Sequence, residues 1–137
     1  MRMTATLLLT MIAAMPATGA AAETLVKEFR GDSTVTTSDF VVEGPWLLDW
    51  RLDGDYENLI ALDITLIESR TGRHVGRVKH VKAKGTGLRL FEEGGVYKLR
   101  VSSTLARWRI KILQIPPEEA ELYTPKNVVE SPFRINQ

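Results

Sequence analysis

A chain of 137 residues with no cysteine cannot be a disulfide-stapled scaffold, so its stability must come from a buried core. An apolar share of 44% and a charged share of 26% mark a globular rather than a disordered chain, and the length suits one domain. The 18 basic and 17 acidic side chains nearly cancel, so any electrostatic function must reside in how charges are distributed.

The first 22 residues read as an export signal. Arg2 supplies the positive start, Ala5 to Met15 a short apolar run, Pro16 its end, and Ala20-Ala21-Ala22 the small residues of a cleavage site, which predicts a cut between Ala22 and Glu23. That run of about 11 residues is well short of the roughly 20 that span a bilayer, so no transmembrane anchor is expected after cleavage. The mature chain is expected to be periplasmic or secreted.

From Glu23 onward the apolar residues recur with period two in short runs between turn residues, which is an all-β pattern. Leu25 and Phe29 mark a first strand ending at Arg30-Gly31-Asp32-Ser33, and Thr34 to Val42 reads as a second, ending at Gly44-Pro45. The third is the clearest: Trp46, Leu48, Trp50 and Leu52 alternate with Asp49 and Arg51, so one face is expected to be buried and the other wet. Leu59 to Ile67 is apolar on both faces except at Asp63 and Thr65, as in the middle of a sheet.

Ser69-Arg70-Thr71-Gly72 turns into a basic strand, His74 to Val81, and Lys84-Gly85-Thr86-Gly87 turns into Leu88-Arg89-Leu90-Phe91. After Glu92-Glu93-Gly94-Gly95, Tyr97, Leu99 and Val101 alternate with Lys98 and Arg100. Trp108, Ile110 and Ile112 then alternate with Arg107, Arg109 and Lys111, and these last two strands are expected to pair as a hairpin. Pro117 to Leu122 is the one helix-like stretch. Residues 116–137 form a tail, irregular from Tyr123 onward. About eight strands with frequent turns predict a two-layer antiparallel sandwich over residues 23–115, jelly-roll-like, with no room for helical crossovers.

The stretch Phe29, Gly31, Thr36, Phe40, Val42, Gly44, Trp46, Leu48, Trp50, followed by Gly94-Gly95-Val96-Tyr97-Lys98-Leu99 and Trp108-Arg109-Ile110, resembles small secreted bacterial β-sandwich modules of the jelly-roll, pre-peptidase C-terminal type. The motifs are fold signatures, and the resemblance implies a jelly roll and no reaction. Ser33 stands where the second glycine of the first motif is expected.

Chemistry-bearing patterns are sparse. His74 and His80, six apart, share a face if the strand is regular, but at about 20 Å they could not share a metal ion. Asp53, Asp55 and Glu57 alternate as at the start of a Ca²⁺ loop, yet Asn58 and Ile64 stand where an EF-hand needs glycine and glutamate, so only a simpler Ca²⁺ site is open to them, against a plain acidic turn. No activated nucleophile, phosphate-cradling loop or facing carboxylate couple is recognisable, and no cofactor or enzymatic activity is expected. Trp46, Trp50 and Trp108 share faces with aliphatic residues and read as core rather than as a sugar platform.

The strongest pointer is charge. Residues 23–68 hold 11 acidic and 3 basic side chains, and residues 69–111 hold 2 acidic and 12 basic. Neighbouring strands pairing opposite charges would explain this, as would an exposed basic face formed by Arg70, Arg73, Arg77, Lys79, Lys82 and Lys84. No aromatic residues interleave that run, so nucleic acid is not an expected partner, and lipopolysaccharide, an acidic glycan or an envelope protein is. The alternative is an inhibitor or accessory protein that meets a protein partner through loops such as Asp53 to Asn58.

Overall fold

The computed structural model describes residues 23–124; the export signal expected at residues 1–22 and the part of the expected tail beyond Thr124 lie outside them. Nine strands form two antiparallel sheets: β1 (Thr24–Gly31), β2 (Val35–Thr36), β3 (Phe40–Val42), β4 (Trp46–Asp53), β5 (Ala61–Glu68), β6 (His74–Val81), β7 (Gly85–Phe91), β8 (Gly95–Thr104) and β9 (Arg107–Gln114). The first sheet runs β1-β9-β4-β7. The second runs β2-β8-β5-β6, with β3 also on β8. Only β5–β6 is a hairpin; every other link between the strands of different sheets crosses the core, which is the winding of a jelly roll. Among the described residues no helix is long and apolar enough to cross a membrane.

The third predicted strand is β4, and its even positions are buried as expected. Its opposite face is only partly wet. Leu47 is fully buried with Leu113 and Ile115, beneath Ala120 and Tyr123. The short helical turn predicted at Pro117–Leu122 forms at Pro117–Glu119 and α1 (Ala120–Tyr123), and it caps this end of the outer face. Tyr123 donates its hydroxyl to the Glu23 carboxylate at 2.5 Å, a bond that pushes its own pKa up to about 12.

Two expectations fail. The single strand at Thr34–Val42 is broken into β2 and β3, both on β8, because Thr37 leaves the ladder geometry between them: its hydroxyl accepts from Leu99 N–H at 2.9 Å while its own N–H donates to Leu99 O. And β8 and β9 are not a hairpin. Each presents an apolar stripe, Tyr97-Leu99-Val101 and Trp108-Ile110-Ile112, and burying both is achieved by facing them across the core, in different sheets. The link is two residues long, with Leu105 in a left-handed conformation at φ 48°.

All three tryptophans are buried, as the alternation predicts. On the side where β6 and β7 form the two sheet edges, long cations close the gap. Arg89 points inward, donates to Arg77 O and Val78 O at 2.8 Å each, and lies over the Phe91 ring. Lys79 places its ammonium 5.7 Å from the Trp50 ring.

Candidate functional site

The basic run lies on an edge strand, and two bulges decide where its side chains go. Pairing with β5 slips between Ile64 and Thr65 and between Leu66 and Ile67. Six residues of β6 therefore span four of β5, so His74, opposite Ile67, and His80, opposite Asp63, still share the outer face. They are closer than a regular strand would set them, at about 13 Å by strand rise. Arg77, opposite Thr65, lies on that face with them.

The six predicted binding residues do not form one surface. Arg77 is on the outer face, and Lys79 sits in register with the inward Ile64 and reaches Trp50. Arg70 and Arg73 are at the β5–β6 turn, lining a small groove with Glu68 and Glu93. Lys82 and Lys84 lie at the far end of β6, where Lys84 is 3.9 Å from Asp53. The charge pairing expected between the acidic and basic segments does occur, on this face at Asp63, which contacts Arg77 at 3.2 Å and His80 Nδ1 at 3.1 Å, and elsewhere at Glu28, Asp53 and Asp55.

What the outer face adds comes from β8. Lys98 stands in register with Ile67, Arg100 with Thr65 and Ser102 with Asp63. Across β6, β5 and β8 the rows are therefore His74-Ile67-Lys98, Arg77-Thr65-Arg100 and His80-Asp63-Ser102. Three fixed cations and two histidines thus share this face with a single carboxylate, which Arg77 and His80 contact. Arg77 and Arg100 are about 10 Å apart by strand spacing. Lys98 and Arg100 were visible in the sequence as the polar side of β8, but only the sheet order places them beside Arg77.

At one end of the sandwich the acidic loop closes on a guanidinium. Arg107 donates to Asp55 through Nη1 and Nη2 at 3.1 Å and to Asp53 through Nη2 at 3.2 Å. Among the described residues no three His, Asp or Glu side chains come together as metal ligands. Asp55 is held below its ordinary pKa by the Arg107 hydrogen bond, and Asp53 by the Gly54 N–H first and Arg107 second.

A carboxylate depressed in the folded state stabilises the fold above its unfolded value, and the effect is lost as pH falls through the lower folded value. Removing Arg107 should thus lower the urea midpoint at neutral pH, with the gap from the parent closing below about pH 4. Equal gaps for Arg107→Gln at pH 7 and at pH 3 would show that the pair contributes nothing.

Neither a protein-family model nor a curated protein matches the chain.

Proposed function

We propose that the chain is an exported, non-enzymatic jelly-roll module that binds an anionic polymer of the cell envelope, lipopolysaccharide or an acidic glycan, through the outer face of β6, β5 and β8. The observation that supports this reading is the placement of Arg77, Lys98, Arg100, His74 and His80 on one sheet face with one acid. Unlike signs usually alternate on a solvated sheet face, since like charges as neighbours are unfavourable. A face of one sign attracts a polyanion at a rate and strength that salt suppresses.

The test is retention of the mature protein, residues 23–137, on immobilised lipopolysaccharide and on a uronic-acid glycan, read as the salt concentration at elution. Replacing Arg77, Lys98 and Arg100 by Ser should move elution to distinctly lower salt, while replacing Arg70, Arg73 and Lys82 should move it little. Unchanged elution of the first variant would remove this face as the site.

A second reading has one observation in its favour. The loop after β4 presents Tyr56 and Leu59, both more than half exposed, beside Leu105, and such side chains are typical anchors for a protein partner. A stoichiometric protein recovered from envelope extract through a high-salt wash, and lost on Tyr56→Ser with Leu59→Ser, would favour it.

A further inference from the structure

The outer face of the other sheet carries a second row of like charge. Arg30 of β1 is in register with Arg109 of β9, Arg109 with Arg51 of β4, and Arg51 with Thr86 of β7. Their strand neighbours Ile110, Trp50 and Leu52 are buried in the core, so alternation sends all three arginines outward. Like charges directly opposite one another on adjacent strands destabilise a sheet, and here three stand in succession.

Among the described residues Glu28 alone makes ion pairs with them, although Asp49, opposite Lys111, lies on the same face. The Glu28 Oε1 accepts from Arg30 Nε at 3.0 Å and forms ion pairs with Arg30 Nη2 at 2.9 Å and Arg109 Nε at 3.1 Å. Arg51 has no ion-pair partner among the described residues. Of the two other acids at the rim, Asp53 is engaged by Arg107, and Asp32 makes no ion pair with the row.

Above the row lies a groove of about 780 Å³ whose polar lining is Arg30, Arg51, Arg107, Arg109 and Thr86 with the acids Asp32 and Asp53. The next register row, Gly31-Trp108-Leu52-Gly85, either turns its side chains into the core or has none, so the groove floor there is main chain. Its volume lies within the range of small-molecule sites and exceeds what a bare anion fills.

We propose that this groove binds a phosphomonoester, clamped by Arg51 and Arg109 with Arg30 in support. Arg51 has its whole donor fork free and Arg109 its two terminal nitrogens, and guanidinium forks match phosphate oxygens two at a time. Cross-strand neighbours about 5 Å apart can hold one tetrahedral group between them. Arg30 and Arg109 share one carboxylate and Arg51 has none, so even with Asp32 at the rim the row keeps a positive excess, which favours a phosphomonoester at about −1.5 to −2 over a singly charged carboxylate. The site is on the sheet opposite the proposed polymer-binding face and stands or falls separately from it.

Isothermal titration and thermal melting of the mature protein test it, with inorganic phosphate, glucose 1-phosphate and vesicles containing phosphatidic acid as probes. Saturable binding of at least one probe is expected, with glucose 1-phosphate against vesicles telling a soluble ester from a lipid headgroup. Arg51→Gln and Arg109→Gln should each weaken it about tenfold, the loss of one charge-assisted pair. Arg51→Gln should also melt no lower than the parent in phosphate-free buffer, since it removes like-charge repulsion, while losing the rise in melting temperature that phosphate gives. The Arg77, Lys98 and Arg100 triple variant should bind phosphate as the parent does. No saturation by any probe, unchanged binding in Arg51→Gln, or an equal loss in the triple variant overturns the assignment.

Discussion

Gly44→Ala should abolish the cooperative fold. A Cβ on Gly44 would stand 1.9 Å from the Glu92 carbonyl oxygen and 2.9 Å from its carbon, both main-chain atoms that no rotamer change can move aside. The facing residue is as tightly placed: a Cβ on Gly94 would lie 2.7 Å from both Gly44 N and Val42 O. These two turns can accept a methyl group only by separating. Separation breaks the bond that ties the two turns together, from Trp46 Nε1 to Glu93 O at 2.9 Å. A loss above about 4 kcal/mol is expected, a large part of the roughly 5–15 kcal/mol that holds a domain together. Gly72→Ala is the matched control, because its left-handed φ of 72° is strained for alanine but nothing lies within 4 Å of the new atom. That variant should lose only about 1–2 kcal/mol. Urea unfolding followed by circular dichroism decides between them, and a Gly44→Ala midpoint near that of Gly72→Ala would refute the steric account.

Trp46→Ala comes next in size, at about 3–5 kcal/mol. The indole is wholly buried, stacked on Phe91 with centroids 4.4 Å apart, and edge-on to Phe40 at 5.6 Å. It thereby ties the first sheet to β3 of the second. Trp46→Phe keeps much of the packing and removes the Nε1 bond to Glu93 O, leaving that carbonyl to the Tyr97 hydroxyl, so it should lose about half as much or less. If the two variants unfold at the same denaturant concentration, the aromatic cluster is not what carries the effect.

The all-β sandwich was legible because burial imposes period two on each strand separately, as at Trp46-Leu48-Trp50-Leu52. Strand order was not, because the alternation of β8 and β9 reads the same whether they lie side by side or face to face. The same limit hid both charged surfaces. Arg30 and Arg51 fall in the acidic part of the sequence, and their neighbour Arg109 in the basic part, so counting charge by segment separates residues that pairing unites. Conversely, the run from Arg70 to Lys84 looked like one surface, and two bulges and a sheet crossing dispersed it. Arg89 gave no sign of pointing inward, since an arginine between two leucines in a strand is ordinarily the solvated one.

The register that opens β1, Thr24 opposite Gln114, and the bond between Glu23 and Tyr123 set the entry and exit of the described chain side by side. The arginine row lies at the other pole, about 17 Å further along the same strands by their rise. Whatever is joined to the described domain, in front, behind or as a host receiving it as an insertion, therefore enters and leaves it at one pole. A link made at Glu23 or at Thr124 meets the domain at the end away from its guanidinium row.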